Sequence, residues 1–180
     1  ITMTSKYERE YLRGDKQTGN VDKTYTDADN VTITDYSDQG YIYVSITSAN
    51  QSDITAMHLF VDSTDADILI PEGVYIINKS YRPGTVLGNY GPDDQNQLST
   101  PFYATIDSQG YLKDVYMWVS GTVEVKKVNG KLYLEVNARN SYDVPVHIVY
   151  SDSSSEIENI ILEQGKGIKQ IIDGQLMIIY

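Results

Sequence analysis

Along most of this chain, hydrophobic and polar residues alternate with a period of two. In "YIYVSIT" the residues Ile42, Val44 and Ile46 share one face, and Tyr41, Tyr43 and Ser45 share the other. In "KLYLEVN" Leu132, Leu134 and Val136 oppose Tyr133 and Glu135. In "DVYMWVS" Val115, Met117 and Val119 oppose Tyr116 and Trp118. Successive side chains of a strand point to opposite faces, so each segment predicts a β-strand with an aliphatic core face and an aromatic-rich opposite face. Helical periodicity is nearly absent. Only "SSSEIENIILEQ" offers a short helix, with Ser155 as cap for Ile157 to Leu162, and a strand competes there.

Turn chemistry divides the strands. Asn129-Gly130 separates "TVEVKKV" from "KLYLEV", and Asp173-Gly174 separates "IKQII" from "QLMIIY". Both dipeptides tolerate the positive φ that a two-residue hairpin needs. "SDQG" (37–40) and "DSQG" (107–110) read as longer hairpin loops, Pro71-Glu72-Gly73 as a turn, and 91–100 as a polar loop. The segment 14–30 is polar and reads as a long loop or an irregular edge. About ten to twelve strands with short connections predict a mostly antiparallel sheet. The expected fold is one all-β domain over 1–180: an antiparallel two-sheet β-sandwich, with a closed, calycin-like β-barrel as the alternative.

Two stretches 90 residues apart repeat this pattern: "GYIYVSITSAN" from Gly40 and "GKLYLEVNARN" from Gly130. The shift matches Thr32 with Thr122, Tyr43 with Tyr133, Asn50 with Asn140 and Asp53 with Asp143. After a one-residue deletion His58 meets His147. The segments 31–61 and 121–150 therefore read either as an internal duplication of a three-strand unit or as two strand sets sharing a pattern. A C-terminal hairpin is expected at 168–180.

Composition narrows the function. A net charge of −11 with no basic stripe excludes binding to a phosphate backbone, so no nucleic-acid partner is expected. The chain has no cysteine, which removes disulfides, thiolate metal sites and thiol nucleophiles. No apolar run is long enough for a membrane-spanning helix. The first residue is Ile1 rather than Met, which leaves room upstream for a removed signal peptide or a lipid anchor. Sixteen tyrosines against two phenylalanines suit half-buried pleated surfaces, where a ring packs while its hydroxyl stays wet.

Candidate chemistry is sparse. His58 and His147 are the only histidines, and two imidazoles alone hold zinc poorly, so no metal site is expected. The acidic stretches at 27–29, 62–67 and 93–94 lack the glycine-containing spacing of a calcium loop and read as solvated. No nucleophile elbow, phosphate loop or zinc-binding helix motif is present, so no catalytic residue and no cofactor are assigned. Pairs of carboxylates for glycoside hydrolysis are a matter of tertiary placement. The aromatic face supplies the candidate binding residues: Trp118, Tyr116, Tyr133, Tyr41, Tyr43 and Tyr75. Exposed together they would make a platform for stacking sugars or meeting a protein. Packed as cross-strand pairs they would be structural.

"IPEGVYII", "SGTVEVKKVNGKLYLEV" and "GIKQIIDGQLMII" make the chain resemble uncharacterised secreted proteins and lipoproteins of gut Bacteroidetes. Pro71, Gly73 and Tyr75 fit the first shared element, Gly121 to Tyr133 the second, and Asp173 to Ile178 the third. The likeness covers 67–180. It implies a β-rich fold, export and attachment to the envelope of a Gram-negative bacterium, and a last hairpin that continues beyond Tyr180. The reading that follows is a non-catalytic extracellular or cell-envelope module binding carbohydrate or another surface protein. An adhesin or assembly subunit acting through its sheet edges and a glycan-active enzyme with a carboxylate pair are the alternatives.

Overall fold

A computed structural model describes residues 19–62, 70–88, 100–152, 168–172 and 175–179. Its strands are β1 Val21–Thr26, β2 Asn30–Tyr36, β3 Tyr41–Thr47, β4 Asp53–Phe60, β5 Gly73–Asn78, β6 Thr85–Leu87 and β7 Phe102–Ile106. They continue with β8 Leu112–Met117, β9 Ser120–Val128, β10 Lys131–Arg139, β11 Pro145–Ser151, β12 Ile168–Ile172 and β13 Gln175–Ile179. The one helical element among the described residues is a 3₁₀ turn at Ser37–Gln39. The protein is all-β and mostly antiparallel, as the alternation predicts.

The sheet is neither a two-sheet sandwich nor a closed barrel. All strands belong to one sheet in the order β1-β11-β10-β9-β5-β6-β4-β3-β2-β12-β13, with β7 and β8 branching from β4. It curls into an open half-barrel. Two antiparallel meanders, β2-β3-β4 and β9-β10-β11, are its main parts. The seam between them decides the architecture. There β5 pairs with β9, three-residue β6 runs parallel to β5, and β6 meets β4 at Leu59–Val86. Non-local pairing through so short a strand leaves no period-two signal in the sequence.

The ninety-residue likeness does not extend to pairing. Tyr43 lies opposite His58, whereas Tyr133 lies opposite Ser151 and His147 opposite Asn137. The hairpin turns also differ in length, because Tyr36 pairs with Tyr41 but Val128 with Lys131. At Asn129-Gly130 both residues have positive φ (54° and 75°), as the hairpin reading requires.

Val21–Thr26 corrects the expected loop over 14–30: it is an edge strand, parallel to β11 from Val21–Val146 to Thr26–Ser151. Its inward positions are Val21, Lys23 and Tyr25, so a lysine interrupts the apolar face and hides the alternation. Residues 14–18, the proposed helix at 155–162, the acidic stretches at 63–67 and 93–94 and the turn at 173–174 lie outside the described residues. The strands flanking that last turn do pair, from Ile168–Ile179 to Ile172–Gln175.

The larger core has Ile33, Val44, Met57, Leu134, Ile148, Tyr25 and Tyr150 among its buried members. Strand β4 is buried on both faces. Its Met57 and Leu59 enter the larger core, while Ile54 and Ala56 join Phe102, Ala104, Val115 and Met117 in a smaller cluster shared with β7 and β8. Burying about 25 cal/mol per Å² of apolar surface makes these clusters the main favourable contribution to folding.

Candidate functional site

The six aromatic residues expected on the outer face do not gather into one platform. Trp118 is fully buried, and Tyr75 is 3% exposed. Both belong to the larger core. The reasons are local. The chain leaves its pairing with β7 at Trp118, whose N–H donates to Pro101, and joins β10 at Val119, whose N–H donates to Arg139. The alternation of β8 therefore does not carry across into β9. In β5 the run Val74-Tyr75-Ile76-Ile77 is apolar on both faces, so its phase is set by pairing. Tyr75 lies opposite core residue Val123, and its hydroxyl donates to Pro71 O at 2.6 Å.

The remaining four rings form separate cross-strand contacts. Tyr41 stands 5.0 Å from Tyr36 and 5.2 Å from His58, and Tyr43 stands 4.9 Å from the same histidine. Tyr43 also packs on the smaller cluster, while Tyr116 packs on the larger core, 6.0 Å from Tyr103. On β10, the Tyr133 ring lies under Lys126 at 4.8 Å, and its hydroxyl donates to Glu135. These half-buried rings stabilise the sheet as aromatic neighbours do.

What lies open is aliphatic. Val74 and Ile76, on the outer face of β5, are 55% and 54% exposed, and Tyr81 in the β5–β6 loop is 64% exposed. Ile76 lies beside Thr85 of β6, and the Tyr81 ring stands 5.4 Å from Phe60 of β4 at a tilt of 55°. Next to these residues a cleft of about 280 Å³ opens between the end of β4 and the start of β5, walled by Phe60, Pro71, Val74 and Pro83. Asp62 and Glu72 stand at the same cleft, and Glu72 accepts the backbone N–H of Lys127 at 2.8 Å. Sequence reasoning missed this site because it followed aromatics. The usable signal was "GVYII", a strand with no polar face.

Two polar clusters anchor β1. Inside, Asp53 is buried and accepts the hydroxyls of Tyr25 (2.9 Å) and Tyr103 (3.0 Å), with Lys23 Nζ 3.0 Å away. Burial pushes both phenols well above their ordinary range, and the Asp53 charge adds to the effect, so both stay protonated donors. Outside, His147 Nε2 lies 2.7 Å from Glu135 and its Nδ1 3.1 Å from Asp22. Hydrogen bonds to Glu135 and Asp22 raise the imidazole pKa above its ordinary value. His58 is shifted the other way, lowered by burial. Among the described residues no group of three or more His, Asp and Glu is placed to hold a metal ion, and no helix is long and apolar enough to cross a membrane.

No family model, curated protein or solved structure matches this chain.

Proposed function

We propose that the chain is a non-catalytic binding module, secreted or held at the envelope of a Gram-negative bacterium, that engages a protein partner through the β5–β6 seam. The observation carrying this reading is the exposure of Val74 and Ile76 on the outer face of β5 and of Tyr81 in the adjoining β5–β6 loop, where it packs against Phe60. Exposed apolar surface of this kind leaves water when it meets a complementary partner. Aliphatic β-branched side chains match a protein surface better than a sugar, which needs an open aromatic ring and polar groups together. The export assignment draws on the absence of cysteine, the acidic tyrosine-rich composition and the resemblance in "IPEGVYII" and "SGTVEVKKV". The test places a photoreactive residue at position 76 in the producing cells. A discrete protein adduct, lost when Val74 is changed to Lys, is expected. The absence of any adduct, together with glycan-array binding abolished by Tyr81→Ala, would overturn the reading in favour of carbohydrate.

A further inference from the structure

Strand β1 is held by charge on both of its faces. Asp22 and Lys23 are consecutive, so they point to opposite sides of the sheet. Lys23 reaches Asp53 on the inner side, and Asp22 reaches His147 on the outer side. Among the described residues, the ladder of β1 runs to β11 alone, and its buried apolar side chains are Val21 and Tyr25. Edge strands with few apolar anchors open at low cost.

We propose that β1 is a releasable strap over the β11 edge, and that the proton on His147 gates it. The groups hydrogen-bonded to His147 are Asp22 from β1 and Glu135 from β10, while Arg139 of β10 lines the same pocket and is engaged by Asp143. Behind Glu135 stands Tyr133, whose hydroxyl donates to it, and Lys126 of β9 lies over the Tyr133 ring. A protonated imidazole donates from both nitrogens, one hydrogen bond to each carboxylate. A neutral imidazole keeps one N–H, and its other nitrogen then turns a lone pair toward a carboxylate. Geometry decides which bond survives. Glu135 is closer (2.7 against 3.1 Å) and less exposed (28% against 80%), so the remaining N–H stays with Glu135 and Asp22 is released. Loss of one proton therefore frees the strand at its outer clasp while Glu135 keeps the histidine on the sheet.

The direction follows from linkage. The folded imidazole titrates above its unfolded value near 6.5, so the clasp is fully formed below that value and is lost as pH rises through the folded one. On the inner side Lys23 and Tyr25 still reach Asp53, at 3.0 and 2.9 Å, so β1 loosens rather than detaches. Each opening exposes the N–H and C=O groups of β11 to pairing by another extended strand.

Amide hydrogen exchange of residues 21–26 between pH 5.5 and 8.5, corrected for intrinsic exchange and referenced to β3, tests this. Protection of β1 relative to β3 should fall about two- to fivefold as pH rises, the range expected for one exposed ion pair. In His147→Gln the ratio should be independent of pH. Asp22→Asn, which leaves the buried contacts untouched, should show at pH 5.5 the protection that the unchanged protein shows at pH 8.5. Equal pH dependence in the unchanged protein and in His147→Gln, or no effect of Asp22→Asn, would overturn the proposal.

Discussion

The Tyr25 hydroxyl of β1 donates to Asp53 of β4 at 2.9 Å, tying the edge strand that flanks one meander to the last strand of the other. Tyr103 of β7 occupies the second carboxylate oxygen at 3.0 Å, and Lys23 sits beside it. Three strands thus share one buried anion. Asp53→Ala should cost about 3 to 5 kcal/mol, because it leaves Lys23 and the Tyr103 phenol without this acceptor and the Tyr25 phenol with Thr55 Oγ1 alone. Denaturant unfolding measures this directly. A loss under about 1 kcal/mol would mean that water replaces Asp53 at no penalty.

Trp118 is the only tryptophan and is fully buried, with its indole N–H unpartnered. Its fluorescence should be blue-shifted and poorly quenched by acrylamide in the native state. Trp118→Ala should destabilise by about 3 to 5 kcal/mol through the cavity it leaves. Trp118→Phe should cost much less, because the indole N–H makes no hydrogen bond that the change would break. Efficient quenching of the native protein would place the ring outside and restore the aromatic platform.

Gly121 and Gly40 separate two causes of glycine dependence. Both have positive φ, 115° and 93°. A Cβ at Gly121 would collide with the backbone carbonyl of Asn137 on β10, while a Cβ at Gly40 meets nothing. Gly40→Ala should cost about 1 to 2 kcal/mol, the backbone term alone. Gly121→Ala should cost clearly more and disturb the β9–β10 ladder. Thermal unfolding of the two variants side by side checks the ordering.

The two histidines should bend the stability–pH curve in opposite senses. Burial lowers the His58 pKa, so the folded state prefers the neutral ring. That contribution is full above the unfolded value near 6.5 and is lost as pH falls toward the lowered folded value. His58→Gln should therefore flatten the acid side of the curve, and His147→Gln the neutral-to-alkaline side. Denaturation midpoints measured from pH 5 to 8.5 report both slopes. Identical curves for the two variants would refute the assignment.

Alternation and turn chemistry were sufficient for most of the elements. Period two in "YIYVSIT" and "KLYLEVN" placed Ile42, Val44, Leu132 and Leu134 in the core, and Asn129-Gly130 turned where its φ angles demand. These are local effects, carried by a residue and its near neighbours. The candidate site was not legible in that way. Strand β5 is apolar on both faces, so only its pairing with β9 sends Tyr75 inward and leaves Val74 and Ile76 outside. Trp118 sits where the chain changes partners, and there the phase of one strand says nothing about the next. Strand β1 was hidden because its inward Lys23 is acceptable only opposite Asp53, a residue 30 positions away. The sequence by itself determined the strands that alternate cleanly and their oily faces, because backbone sterics and side-chain spacing act within a few residues. The tertiary structure alone decided that the meanders join through β6 into one open half-barrel, because that join rests on hydrogen bonds between segments whose own patterns do not name their partner.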